Sequence, residues 1–128
     1  PPPPQVKEVP KYIKPPSRGL EDIYFDFDRY NIRSDARGIL EHNARWLKGN
    51  PRVKVQIQGH CDERGTVEYN LALGDRRAKS PRDYLISLGI APDRIKTITY
   101  GEEMPLEPGH NEEVWAKNRR AHFHILSE

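Results

Sequence analysis

Asp62 and Arg77 carry opposite charges within the stretch GHCDERGTVEYNLALGDRRA, residues 59–78. A carboxylate and a planar guanidinium that face one cleft suit a small zwitterion, the aspartate taking an ammonium and the arginine fork a carboxylate. The same charges would also serve as an ordinary surface ion pair worth about 0–1 kcal/mol, and spacing alone leaves both readings open. A third reading is a hydrolase or metal centre using His60, Asp62, Glu63 and His110. It lacks a GxSxG or HExxH pattern and an evident nucleophile.

The elements that must position Asp62 and Arg77 are legible around them. Val53, Val55 and Ile57 alternate as on a half-buried strand. Leu71, Ala78 and Leu85 then recur at helical spacing, so the strand gives way to a helix over about Thr66 to Leu88. Gly59 and Gly65 bracket the turn, where positive φ or close backbone approach is tolerated, and the Thr66 hydroxyl is placed to cap the helix. Asp62 thus falls at the carboxyl end of a strand, beside a helix N-terminus, where open α/β sheets bind ligands. Asn70, Gly74 and Arg77 share one helix face. Pro81 removes a backbone donor inside that helix and typically costs about 3 kcal/mol, which predicts a kink or local opening near Ser80 and Pro81.

A first strand is predicted over Ile23 to Asp28, with Ile23, Phe25 and Phe27 on one face. The carboxylates of 22–28 lack the spacing of a calcium loop. Ser34 or Asp35 is placed to cap a helix running to about Lys48, with Ile39, Leu40, Ala44 and Leu47 as its core stripe and Asn50-Pro51 as its stop. Gly89 ends the following helix. A strand over Ile95 to Tyr100, an irregular loop YGEEMPLEPGH, a short helix over Asn111 to Lys117 and a closing strand over Arg119 to Leu126 complete the chain. His122 and His124 share a face of that last strand, read as an exposed imidazole pair and not a zinc site, since no further ligands have suitable spacing. The order implies an α/β fold, an α+β two-layer sandwich of βαβαβ(α)β order, whose four-stranded mixed sheet is covered by helices on one face.

With 128 residues the chain is one domain on length. Its 21 basic and 19 acidic side chains nearly cancel to +2, which is no footprint for a phosphate backbone, and no nucleic-acid partner is expected. No apolar run is long enough to span a bilayer. Cys61 is the single cysteine, so no internal disulfide forms. Flanked by Asp62 and Glu63, it reads as a small inert side chain and not as an activated thiol. Seven of the twelve prolines fall in 1–18, which predicts an extended polyproline-like linker over 1–19 ahead of a domain at 20–128. A partner-docking role for that segment is the weaker reading, because no PxxP repeat is sustained. Pro1 in the place of Met is expected from a processed or trimmed chain.

The pattern GHxDxxG, then YN, then RRA over Gly59 to Ala78 resembles the signature of OmpA-like peptidoglycan-binding domains. IYFDFDRYNI at 23–32, YGEEMP at 100–105 and GHNEEVWAKNRRAHF at 109–123 are similar to one branch of that family, the outer-membrane lipoproteins of the Tol system. The resemblance covers about Leu20 to Leu126 and implies the two-layer α/β architecture. It also implies non-catalytic binding of the peptidoglycan stem peptide through meso-diaminopimelate, with Asp62 on the ammonium, Arg77 on the carboxylate, Asn70 holding the pocket, and Phe27 and Asp28 lining it. The implied partners are peptidoglycan and TolB, with TolA or other OmpA-like proteins beyond them. No cofactor is implied. The implied location is the periplasmic face of the outer membrane, through a lipid anchor absent from this sequence.

Overall fold

The computed structural model describes residues 19–128, and the proline-rich linker expected over 1–19 lies, but for Gly19, outside the described residues. The elements are β1 (Ile23–Tyr24), α1 (Ser34–Gly49), β2 (Lys54–His60), α2 (Val67–Ser87), β3 (Ile95–Gly101), α3 (Glu112–Asn118) and β4 (Arg120–Ser127). A 3-10 turn, Pro92–Arg94, leads into β3. The strands form one mixed sheet in the order β1-β4-β2-β3. β2 and β3 run parallel, and α2 supplies the long crossover that a parallel pair needs, while β4 lies antiparallel to both β1 and β2. The expected α/β two-layer sandwich is the observed fold.

Alternation along the strands decides which face is covered. Val55 and Ile57 of β2 stand opposite Ile125 and Phe123 of β4, and these residues pack with Leu40, Ala44 and Leu47 of α1 and Ala78 and Leu85 of α2. Each fully buried Leu, Ile or Phe contributes about 1.5–3 kcal/mol by leaving water. The other face carries Lys54, Gln56, Gln58, His122 and His124.

Three local expectations are corrected. β1 ends at Tyr24, not Asp28; beyond it the chain peels away, and Asp28 takes a positive φ of 57°, which a pleated strand does not allow. Arg33, not Ser34 or Asp35, is the N-cap of α1, and no side chain caps that helix. Pro81 does not open α2, which continues from Val67 to Ser87. The proline removes only its own donor, and buried Ala78, Pro81 and Leu85 hold that stretch against the core.

Gly59 and Gly74 let α2 lie directly on β2. A Cβ built on Gly59 would stand 1.7 Å from the Gly74 carbonyl oxygen, and one on Gly74 would stand 2.3 Å from Thr99 Oγ1. Backbone cannot move aside as a flexible side chain can. Gly59→Ala is therefore expected to lower the unfolding free energy by about 3 kcal/mol or more, read as a shift in urea midpoint; a midpoint within error of the parent would contradict the close crossing.

Candidate functional site

The crossing of α2 over β2 places the β2–α2 turn against the segment that follows β1. A cavity of about 220 Å³ opens between them, and Phe27, Asp28, Asp62, Asn70 and Arg77, the five residues singled out from the sequence, all line it. Arg64 and Tyr69 also line it, with Cys61, Gly65 and Leu73. Thr66 caps α2 as expected, its hydroxyl accepting from the Tyr69 amide, which fixes the turn carrying Asp62 and Arg64.

Asp62 is 4% exposed and saturated with donors. Its Oδ1 accepts from the Arg64 backbone N–H at 3.0 Å and from Arg64 Nε at 3.2 Å. Its Oδ2 accepts from Arg64 Nη2 at 2.9 Å and Arg119 Nη1 at 3.4 Å. Burial by itself would raise the carboxyl, but the hydrogen bonds and charge of Arg64, with Arg119 behind them, outweigh it and hold Asp62 below its ordinary value.

Arg77 is spent differently. It is 1% exposed and donates Nε–H to Arg29 O at 2.8 Å, Nη1–H to His60 O at 3.1 Å and Nη2–H to Asp26 O at 3.0 Å. These bonds tie the post-β1 segment and the end of β2 to α2, and burial lowers the pKa of the guanidinium. The simple picture of a free carboxylate facing a free arginine fork is thereby corrected. Both side chains reach one cavity, yet three of the five donors that a guanidinium carries hold backbone carbonyls, and the aspartate is paired with other arginines.

Asn70 donates Nδ2–H to Arg64 O at 2.9 Å and to Glu102 Oε1 at 2.6 Å, bridging the turn to the loop after β3. The Tyr69 hydroxyl donates to Asp28 Oδ1, and the left-handed backbone at Asp28, which Asp tolerates better than most residues, turns that carboxylate toward it. Phe27 is exposed at the mouth, with its ring 4.0 Å from Arg64 Cζ.

The four residues of the hydrolase or metal reading do not meet as one group, although Glu63 and His110 pair with each other. His60 is buried against the Tyr100 ring, with centroids 5.5 Å apart, and burial, then Arg120 and His122, push its pKa well below 6.5. Glu63 instead pairs with His110 Nδ1 at 2.6 Å and accepts from Trp115 Nε1 at 2.9 Å, both of which lower its pKa. Among the described residues, no group of three His, Cys, Asp or Glu side chains could hold a metal ion. The expected exposed pair on β4 is also divided: His124 is exposed, but His122 Nδ1 lies 2.8 Å from Asp22 Oδ1 and is largely covered.

Cys61 is buried, its Sγ–H donates to Asn70 O at 3.2 Å, and burial pushes its pKa up to about 11 from 9.0. At pH 8 the folded protein should hold about 100-fold less thiolate than the unfolded chain. Iodoacetamide is expected to label it at least that much more slowly before urea is added than after; equal rates would contradict the burial. The neutral thiol contributes stability that is fully present below pH 9 and is lost as the pH rises through about 11.

Arg64, Tyr69, Trp115 and Arg119 were not singled out from the sequence. Arg64 had a local signal, since an aspartate commonly accepts from the backbone N–H two residues on. Arg119 and Trp115 arrive from the far end of the chain and no spacing announces them.

Residues 24–119 match the OmpA family. The chain is 50% identical over 99 residues to the peptidoglycan-associated lipoprotein of Rhizobium meliloti (strain 1021), a match covering 77% of this chain and 56% of that protein. It is 43% identical over 103 residues to the protein of the same name from Pseudomonas aeruginosa, covering 80% and 61%. The chain thus spans little more than half the length of these curated relatives. The crystal structure of the peptidoglycan-associated lipoprotein from Burkholderia pseudomallei superposes with a TM-score of 0.79 at 42% identity, covering 82% of this chain and 89% of that one. Sequence match and topology agree, and the chain belongs to the OmpA family, alongside its peptidoglycan-associated lipoproteins.

Proposed function

We propose that this domain is a non-catalytic, non-covalent binding module for the stem peptide of peptidoglycan, seating the amino-acid head group of meso-diaminopimelate. The observation that carries the reading is the cavity of about 220 Å³ in which carboxylates and guanidiniums from separate elements meet. It is smaller than the roughly 300–1,000 Å³ of pockets that enclose a drug-sized ligand, so it fits a charged head group and leaves the rest of a polymer outside. Asp62 takes the ammonium, and Asp28 at the mouth, one of whose oxygens is held by Tyr69, adds negative charge. Arg77 faces the carboxylate with the N–H groups that its three carbonyl partners leave over, while Asn70 holds the turn. Catalysis is no part of the proposal: Glu63 and His110 pair with each other outside the cavity lining, and His60 is buried against the Tyr100 ring.

The names of the relatives support placing this chain in the cell envelope. In the full-length protein, the domain would tether the outer membrane from its periplasmic face to the cell wall as part of the Tol-Pal system, held by an N-terminal lipid anchor. TolB, with TolA or other OmpA-like proteins, would be its protein partners. Co-sedimentation with diaminopimelate-containing sacculi tests the binding. The domain is expected to pellet and to release no soluble muropeptides; a domain that stays in the supernatant overturns the reading, and released muropeptides would favour a hydrolase.

A further inference from the structure

Arg64 occupies a position built for a cation. Its guanidinium carbon lies 4.0 Å from the Phe27 ring centroid and 4.2 Å from that of Trp115. Two ring faces on a cation, with a carboxylate in reach, make a cation cage. The carboxylate is Asp62, at 2.9 Å from Arg64 Nη2, and Glu112 stands 3.7 Å from the same nitrogen. The occupant is the chain's own side chain, about one-third exposed, and its Nε and Nη2 contacts use both oxygens of Asp62.

We infer that Arg64 is a displaceable internal occupant of the cation seat and determines its selectivity: a ligand ammonium reaches Asp62 only by exchanging with this guanidinium. The inference rests on the head-group reading above and adds a competitor to it. Asp62 is saturated on both oxygens, so an added cation needs a donor to leave. Arg119 is the poorer candidate to leave, because its side chain is 7% exposed and is also held by Phe25 O at 2.9 Å and Glu112 at 3.0 Å. Arg64 can turn into solvent past the exposed Phe27. Exchange of cation for cation keeps the buried aspartate paired throughout, which avoids the penalty of leaving it bare. It also rejects weakly charged head groups, since only a cation replaces what is lost.

The test titrates the parent and Arg64→Ala, each verified as folded by its thermal transition, with a diaminopimelate-containing muropeptide and with the same peptide acetylated at the side-chain amine. Arg64→Ala is expected to bind the free-amine peptide about tenfold more tightly than the parent does, with little change for the acetylated peptide. In the parent, the Trp115 indole NMR signal, assigned through Trp115→Phe, should move on binding as the stacked guanidinium leaves. Guanidinium chloride at millimolar concentration should shift that signal in Arg64→Ala and leave it unmoved in the parent. Unchanged or weaker binding of the free-amine peptide by Arg64→Ala overturns the inference and makes Arg64 either neutral or a direct ligand contact. If the parent binds neither peptide, the head-group reading falls with it, and the guanidinium arm then decides whether a cation cage exists at all: no shift in Arg64→Ala overturns that too.

Discussion

Arg77→Ala is expected to lower the unfolding free energy by about 3–5 kcal/mol, a loss at the upper end of what single substitutions produce. The arginine is 1% exposed and three of its donors hold the carbonyls of Asp26, Arg29 and His60. Truncation leaves those acceptors without the donor that spans them and empties the volume between α2 and the post-β1 segment. Bonds from a charged donor are worth more than neutral ones, about 1.5–3 kcal/mol each, though three on one side chain do not add in full. Urea unfolding measures the loss. Arg77→Lys divides the roles further, because a lysine keeps the charge but reaches carbonyls with a single ammonium and lacks the planar fork. It is expected to remain destabilised by most of that amount. A lysine variant as stable as the parent would mean that charge, and not the three-carbonyl geometry, is what the fold uses at this position.

This double use of Arg77 explains where the sequence was readable and where it was not. Alternation at Val53, Val55 and Ile57 and the helical spacing of Leu71, Ala78 and Leu85 are periodic signals, and they placed β2 and α2 correctly because burial on one face enforces them. The turn between them was also legible, as Thr66 is a capping residue and Gly65 takes the positive φ of 101° that a glycine allows. Propensity failed where tertiary contacts outweigh it. Pro81 reads as a break but sits in a helix buried along Ala78 and Leu85, and Phe25 to Asp28 alternates like a strand but is pulled off the sheet toward Arg77 and Tyr69. A charge in a sequence gives its sign and not its partner. Asp62 and Arg77 were found because their types suggest recognition, whereas the guanidiniums that pair with Asp62 come from two residues away and from β4's threshold at Arg119, a separation over which no local pattern operates.

The second large effect concerns Asp62 and follows from the same partners. Asp62→Asn keeps the volume and one acceptor oxygen but removes the charge that Arg64 and Arg119 share. Arg119 stays buried beside Phe25 O with Glu112 as its remaining anion, so the variant carries an undercompensated guanidinium at the back of the site. The affinity for a diaminopimelate peptide is expected to weaken by about 2–5 kcal/mol, much of it the penalty of burying a cation against a neutral amide. Calorimetric titration of folded protein checks this, and an affinity within threefold of the parent would remove Asp62 from the ammonium seat. Acid unfolding supplies a signature that lost packing alone does not give. Because Arg64 and Arg119 hold the folded-state carboxyl below its ordinary 3.8, the parent's carboxylate contributes stability that is present above that value and lost as the pH falls through the lower folded-state value. Asp62→Asn has no such proton to take up, so its stability should be lower than the parent's near neutrality and should converge on it as the pH falls below 3.8. Parallel curves across that window would mean that the carboxylate is not held by its arginines, and the charge arrangement on which the site depends would have to be redrawn.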